Sequence, residues 1–487
     1  MNGRLSFGFA RRNGVLLDLH APQPCLLMRA GMPLSALGEA RRIVGADWPL
    51  RHVDAAVFAE RLATCYSSDQ DEAQSVVQGL DEQLDLSRLA QDLPKSCDLL
   101  EQQDDAPIIR LLNALLSEAV RAKASDIHLE TFEHDVRVRL RIDGMLREVL
   151  RPRRELAALL VSRIKVMARL DIAEKRVPQD GRLSLRLAGH EVDVRVSTLP
   201  SAHGERVVMR LLDRQAVRLE LDTLGMQGQV KAHFQQVLQR PHGIFLVTGP
   251  TGSGKTTTLY TALSVLNDSS RNILTVEDPI EFHLPGIGQT QVNPKVEMTF
   301  ARGLRAMLRQ DPDVVMVGEI RDRETAQVAV QASLTGHLVV STLHTSSAIG
   351  AITRLLDIGV DNCLLASSLT GVLAQRLVRA LCPHCRLQVP VSAQLAARLQ
   401  DASVQRVFSA QGCEHCLNGY SGRLGIYEMV LITPGLADAI HAGAAQAQLS
   451  ALARQQSTSL FENGLELVRQ GRTSVEELLR VTVQDPL

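Results

Sequence analysis

The sequence predicts a multidomain α/β protein. Its parts are a parallel-sheet, phosphate-loop nucleotide-binding core with a four-cysteine subdomain, a small α+β domain before that core, and a separate N-terminal domain. Three observations predict this. Near-continuous apolar strands, GIFLVTG, NILTV, DVVMVG and HLVVSTL, alternate with helical stretches between residues 243 and 343, as in a parallel sheet covered on both faces. The stretch GPTGSGKTTTLY, residues 249–260, follows the first of these strands and opens a helix. Two Cys-x-x-Cys pairs, Cys382 with Cys385 and Cys413 with Cys416, follow downstream.

Length and composition set the outer bounds. A chain of 487 residues is too long for one hydrophobic core and favours two to four domains. Lys+Arg 53 almost cancels Asp+Glu 54 and aromatics are only 3%, so neither bulk charge nor stacking surface favours a nucleic-acid partner. No apolar run approaches the roughly 20 residues that span a bilayer. The opening MNGRLSFGFARRNG has neither an apolar signal core nor a small-residue cleavage site, and the expectation is a cytoplasmic protein. Cys25, Cys65, Cys97 and Cys363 are scattered, which suits reduced thiols and not a disulfide framework.

Along the chain, residues 1–100 form the expected N-terminal domain. Its polar run DQDEAQSVVQGLDEQLDLSRLAQDLPKS predicts a helix and then a linker near 94–107. Apolar residues at helical spacing predict a helix over 108–123. The period then changes to two: Val136, Val138, Leu140 and Ile142 alternate with Arg137, Arg139 and Arg141, and Asp143-Gly144 supplies a hairpin turn. After a helix near 155–170, QDGRLSLRL, HEVDVRVSTL and RVVMRLLD repeat the alternation, so residues 108–213 read as an α+β domain with an antiparallel sheet. The core is expected over 220–487, with the cysteine module at 380–420 and a helical tail at 436–481.

Gly249, Gly254, Lys255 and Thr256 satisfy G-x-x-x-x-G-K-[ST], with a strand before and a helix after. Gly249, Gly252 and Gly254 let the backbone turn its N–H groups toward phosphate oxygens, and the helix N-terminus adds a favourable dipole. Pro250, Thr251, Ser253 and Thr257 complete the expected cradle for ATP. Lys255 supplies a mobile cation for the β- and γ-phosphates, and the Thr256 hydroxyl is the expected protein ligand of Mg²⁺.

Hydrolysis requires acidic groups at neighbouring strand ends. NILTV ends in Glu277-Asp278, and DVVMV is followed by Gly318-Glu319. Glu319 reads as the magnesium or water-positioning group and Glu277 as the candidate for orienting the attacking water; which does which stays open. The alternative is that these acids cap helices or pair with Arg321 and Arg323. His337 and His344 flank LVVST, and His344 leaves the strand on the side of Glu319, where it can sense a γ-phosphate or serve a structural hydrogen bond.

The four thiols suit a tetrahedral Zn²⁺ site. A redox couple needs one pair, not two, and His384 and His415 inside the knuckles read as bystanders. A metal staple also explains how so short an insertion stands as a projecting subdomain.

GPTGSGKTTTLY, ILTVEDPIE, LRQDPDVVMVGEIRDRETA and TGHLVVSTLHT resemble the Walker A loop, Asp box, Walker B and His box of the secretion ATPase superfamily. ASDIHLE, AEKRVPQDGRLS and STLPSAHGERVVMRLLD resemble its second N-terminal domain. The opening RLSFGFARRNGVLL is similar to that of type II secretion ATPases, the general secretion pathway protein E family, more than to pilus motors.

The resemblance implies a RecA-like core, a PAS-like small domain, an N-terminal α/β docking domain and a homo-hexameric ring. It implies an ATP hydrolase that drives pseudopilus assembly and protein export, peripheral to the inner membrane. Inner-membrane platform proteins are the implied partners, with a membrane-anchored protein binding residues 1–100. It carries over Arg195 and Arg210 foremost, then Arg305, Arg309, Arg321 and Arg354, as cations that reach phosphates directly or across an interface. The cysteine module resembles that of filament-assembling members and argues against retraction. A type IV pilus assembly ATPase is the near alternative, a nucleotide-gated scaffold without turnover the distant one, and a nucleic-acid translocase the third.

Overall fold

The computed structural model describes short stretches between residues 5 and 61, then residues 106–187, 190–213, 219–391, 393–399 and 404–482. The chain divides into two compact units, Met1–Leu140 with Leu146–Leu211, and Arg141–Met145 with Leu212–Leu487.

The first unit holds two sheets. In the N-terminal one, β1 (Val15–Asp18), β2 (Cys25–Arg29) and β3 (Leu50–Val53) lie in that order, with β1 and β2 antiparallel and β2 and β3 parallel. The helix Leu34–Val44 presents Ala36, Ala40 and Val44, spaced four apart, to Val15, Leu17 and Leu26. The helix expected in the polar run and most of the linker expected near 94–107 lie outside the described residues, as do Cys65 and Cys97; residues 106 and 107 already belong to the helix Ala106–Arg121.

The strands of the second sheet are β4 (Asp126–Thr131), β5 (Val136–Ile142), β6 (Met145–Leu150), β7 (Gln179–Leu187), β8 (His190–Ser201) and β9 (Gly204–Asp213). They lie in the order β6-β5-β4-β9-β8-β7. In β5 the four apolar residues are buried and the three arginines between them are half-buried, the alternation that the period of two predicts. Asp143 and Gly144 both have positive φ, +48° and +84°, the conformation that a two-residue hairpin turn needs. The helices Ala106–Arg121 and Leu156–Met167 bury Leu111, Leu112, Leu115, Leu160 and Ile164.

The second unit is built on a seven-stranded sheet. Its strands are β10 (Gly243–Thr248), β11 (Ile273–Glu277), β12 (Gly288–Gln291), β13 (Val314–Val317), β14 (Leu338–Leu343), β15 (Leu369–Leu381) and β18 (Tyr420–Leu431). They lie in the order β12-β11-β13-β14-β10-β15-β18. Six run parallel, and only β18 is antiparallel to its neighbour β15. This is a RecA-like order, with hydrophobic layers on both faces.

The strands β10, β11, β13 and β14 were legible as apolar runs; β12, β15 and β18 were not. LTGVLAQRLVRAL in β15 is rich in residues with good helix propensity, and its long pairing with β18 overrides that preference. A small hairpin of β16 (Leu387–Pro390) and β17 (Arg406–Ser409) interrupts the chain between β15 and β18. The expected tail resolves into four helices: Pro434–His441, Gln446–Arg454, Leu460–Arg469 and Val475–Thr482.

Candidate nucleotide site and metal centre

Parallel strands bring their C-terminal ends to one edge, and that edge collects the candidate residues. The phosphate loop follows β10, Glu277 ends β11, Glu319 stands two residues past β13, and His344 stands one past β14. Within the loop, glycine is required where the chain passes close to β15. A Cβ on Gly249 would lie 2.5 Å from the Gln375 carbonyl oxygen, and one on Gly254, at φ +87°, would lie 2.8 Å from Gln375 Nε2. Lys255 begins the helix Lys255–Leu266 and donates from Nζ to the carbonyls of Gly249 at 2.8 Å and Pro250 at 3.1 Å. Burial lowers its pKa to about 8; Glu319 opposes that shift and the nearby Arg376 adds to it.

Two features of this loop fit a phosphate-bearing ligand. Ser253 Oγ is buried and makes no hydrogen bond among the described residues, a costly state that an anion accepting its proton relieves. The hydroxyl-bearing Thr256 is exposed at the first turn of the helix, where a cation carried by the nucleotide can reach it.

Glu319 faces this loop. It pairs closely with Arg321, and its Oε2 lies 3.6 Å from His344 Nε2. Hydrogen bonds between strand ends hold this geometry. Thr342 Oγ1 donates to the Gly318 carbonyl at 2.7 Å, and Ile320 N donates to the Thr342 carbonyl at 3.0 Å. The Thr248 and Thr345 hydroxyls lie 2.7 Å apart, joining the end of β10 to the residue after His344. Burial pushes the His344 imidazole below its ordinary value, and Lys255 adds to that while Glu319 opposes it.

Glu277 is placed differently. It is 3% exposed; its Oε2 accepts from the Tyr260 hydroxyl, and its Oε1 accepts from Thr275 Oγ1 at 2.6 Å and Gln289 Nε2 at 3.0 Å. Its neighbour Asp278 is exposed and acts electrostatically on Arg321. His337 lies at the opposite end of β14, where its Nδ1 sits 2.9 Å from the Ala332 carbonyl at a helix end, a structural position away from the loop.

Among the arginines, Arg321 joins the Glu319 cluster. Arg305 pairs with Glu324 at 2.7 Å, Arg309 donates to the Arg305 carbonyl at 2.9 Å, and Arg354 is exposed. Arg195 and Arg210 belong to the first unit. Arg195 stands on β8 opposite Arg182 of β7, and Arg210 on β9 donates to Asp126 Oδ1 at 3.0 Å.

Sequence reasoning missed four residues that build this edge. Tyr260 is buried on the helix Lys255–Leu266 and carries no motif of its own. Gln375 holds Thr258 Oγ1 at 2.7 Å, Arg376 donates to the Ser346 carbonyl at 2.7 Å, and both sit on the unforeseen β15. Gln289 lies on the equally unforeseen β12.

The cysteine module converges as its spacing predicts. Cys382, Cys385, Cys413 and Cys416 place their sulfurs within 4.8 Å of one another, and His384 and His415 are not part of this group. Sulfur separations of 3.8 Å (Cys382–Cys413), 3.7 Å (Cys385–Cys416) and 3.6 Å (Cys413–Cys416) match the roughly 3.8 Å edge of a tetrahedron with metal–sulfur bonds of about 2.3 Å. Backbone N–H groups of Gly412 and Cys413 donate to Cys385 and Cys416 sulfurs, which suits thiolates. The four residues can hold a metal ion. They close the far end of the β15–β18 ribbon, where Cys382 N donates to the Gly419 carbonyl at 2.8 Å.

The family described as Type II/IV secretion system protein matches residues 101–480, and a domain family of GSPII protein E matches residues 4–66. The Type II secretion system protein E of Pseudomonas aeruginosa is 58% identical, over 99% of this chain and 97% of its own length. The Type II secretion system ATPase E of Vibrio cholerae is 56% identical, over 98% and 96%. Among solved structures, the pilus retraction motor PilT with bound ADP superposes with a TM-score of 0.52 at 27% identity, covering 77% of this chain and 97% of that one.

Proposed function

The chain belongs to the Type II/IV secretion system protein family, and on that premise we propose that it is the ATPase motor of a type II secretion system. ATP hydrolysis drives assembly of a pseudopilus and export of folded proteins. The observation that carries the chemistry is the gathering of Lys255, Glu319, Arg321 and His344 at one edge of the parallel sheet. The match of residues 4–66 to a GSPII protein E domain favours type II secretion over type IV pilus assembly, because the two kinds of motor differ mainly at their N-termini.

In this reading the backbone of 249–257 cradles the phosphates, and the Lys255 ammonium leaves the Gly249 and Pro250 carbonyls for the β- and γ-phosphates. Mg²⁺, arriving with the nucleotide and held by the Thr256 hydroxyl, would neutralise charge on those oxygens. Glu319 orients the attacking water. The water oxygen bonds to the γ-phosphorus, the bond to the β–γ bridging oxygen breaks, and the proton ends on inorganic phosphate. Neutral His344 hydrogen-bonds a γ-phosphate oxygen and reports its departure to the Thr345–Thr248 contact.

The working assembly is a homo-hexamer in which Arg195 and Arg210 of the small domain supply cations to the transferring phosphoryl group. Residues 1–100 dock on a membrane-anchored platform protein, 108–213 and 220–487 form the moving parts, and the four cysteines bind Zn²⁺. Among the described residues no helix is long and apolar enough to cross a membrane; in this reading the motor works at the cytoplasmic side of the inner membrane, held there by its partners. The test is complementation: the full chain restores export to a strain lacking its own copy and the Lys255→Ala chain does not. Pull-down of residues 1–100 by a pilus platform protein and not by a type II one overturns the choice of system.

A further inference from the structure

The two acidic groups that end β11 and follow β13 are not equivalent. A carboxylate that orients water needs a free lone pair in a place that water and substrate can reach. Glu319 pairs with Arg321 and acts on Lys255. Glu277 accepts three hydrogen bonds, from Tyr260, Thr275 and Gln289, of the roughly four that a carboxylate can take.

The donors of those bonds also grip the loop that follows. Glu281 N donates to the Tyr260 hydroxyl at 3.3 Å, and the Tyr260 ring packs edge-on against Phe282, with centroids 4.7 Å apart. Gln289 donates from Nε2 to the Phe282 carbonyl at 3.2 Å and accepts at Oε1 from Leu284 N at 2.7 Å. The β11 backbone joins in, because Val292 N donates to the Glu277 carbonyl at 2.8 Å. Tyr260 lies about one and a half turns past Lys255 on the same helix. One buried cluster therefore ties the phosphate-loop helix to β11, β12 and the loop carrying Asp278.

We propose that Glu277 is a positioning residue and not the water-orienting carboxylate: with Tyr260 as its partner and Gln289 as brace, it clamps the segment 278–284 against the phosphate-loop helix. This deepens the ATPase reading and rests on it. The clamp keeps Asp278 in the field of Arg321, the partner of Glu319, during turnover. Loosening it slows the chemical step and leaves nucleotide binding at Lys255 in place.

The experiment measures phosphate release and ADP affinity in full-length protein for Tyr260→Phe, Glu277→Gln, their double variant and Gln289→Leu. Lys255→Ala in the same assay reports on the ATPase reading itself: if it matches the unaltered chain, that reading fails. Given Lys255-dependent turnover, Tyr260→Phe lowers kcat about tenfold with KM and ADP affinity within about twofold, since only the positioning of catalytic groups is lost. Glu277→Gln, which still accepts from Thr275 and can donate to Tyr260, costs no more than Tyr260→Phe and keeps the pH profile. The double variant falls within about twofold of the worse single one, as for two parts of one unit. Gln289 is only half-buried, so Gln289→Leu keeps the test alive should a Glu277 variant not fold; it lowers kcat several-fold at constant KM. A loss of about 100-fold or more in Glu277→Gln beside full activity in Tyr260→Phe overturns the proposal, as does full activity in Gln289→Leu.

Discussion

His344 Nε2 stands 3.6 Å from Glu319 Oε2, at the ends of two adjacent parallel strands, and the same carboxylate pairs with Arg321. A strand-to-strand contact thus connects the group proposed to orient water with the group proposed to sense the γ-phosphate.

Removing the charge of Glu319 separates binding from turnover. Glu319→Gln is expected to cut phosphate release at least about 100-fold while ATP affinity stays within a few-fold. Equilibrium binding and single-turnover measurements on one preparation check both halves.

Because burial foremost, and then Lys255, hold the His344 pKa below 6.5, the imidazole is neutral at pH 7. The unfolded chain takes the proton first as pH falls. His344 therefore costs no stability above its ordinary value and reduces stability progressively below it. His344→Asn should soften the acid side of the stability profile and lower kcat about tenfold. Thermal melts from pH 7 down to 5 read the first effect.

Lys255 carries the opposite charge logic. Burial holds its pKa at about 8, against 10.5 ordinarily, so keeping it charged opposes folding at pH 7, and that cost shrinks as pH rises from about 8 toward 10.5. Lys255→Met is expected to gain on the order of 1 kcal/mol of stability while losing nucleotide binding. ADP binding to the unaltered chain at pH 8.5 should take up a proton, an uptake that shrinks toward pH 7. Calorimetry in buffers of different ionisation enthalpy measures it.

The cysteine module is expected to hold one zinc ion per chain, counted by elemental analysis. Cys385→Ser or strong chelation should remove the metal, lower Tm and expose the insertion between 382 and 419 to protease. The parallel strands nearer the phosphate loop should stay protected, because neither of their hydrophobic layers includes the four cysteines and, of the insertion's buried residues, only Leu399, Val404 and Val407 join one of them.

Beside the cysteine module, buried Glu477 receives Arg379 and Arg480, at 2.6 Å and 2.8 Å. Burial alone would raise its pKa, but the hydrogen bonds from Arg480 and Arg379 together outweigh that and hold it at about 2. Its folded pKa lies below the ordinary 4.5, so its contribution is complete above about pH 4.5 and is lost as pH falls toward 2. Glu477→Gln should cost about 3 kcal/mol, since it leaves half-buried Arg379 short of its charged partner. Denaturant melts at pH 7 check the size, and repetition at pH 3 should show a smaller difference.

Much of this architecture was legible because local pattern and tertiary role agreed. The Val136–Ile142 alternation, the strand–loop–helix around Lys255 and the two cysteine knuckles each have a period or spacing with one physical use. Strands β12, β15 and β18 were not legible, since Gln, Arg and Ala in them take their conformation from neighbouring strands. That loss hid Gln289, Gln375 and Arg376, whose functional placement depends on pairing between distant segments. The two glutamates looked alike in sequence because each follows an apolar strand. Their difference lies in Tyr260, Thr275 and Gln289, which surround one and not the other.

The most direct measurement is phosphate release by assembled full-length protein, compared with Lys255→Ala at equal protein and saturating Mg-ATP. Turnover is expected to disappear with Lys255. Equal release by the two proteins would contradict it.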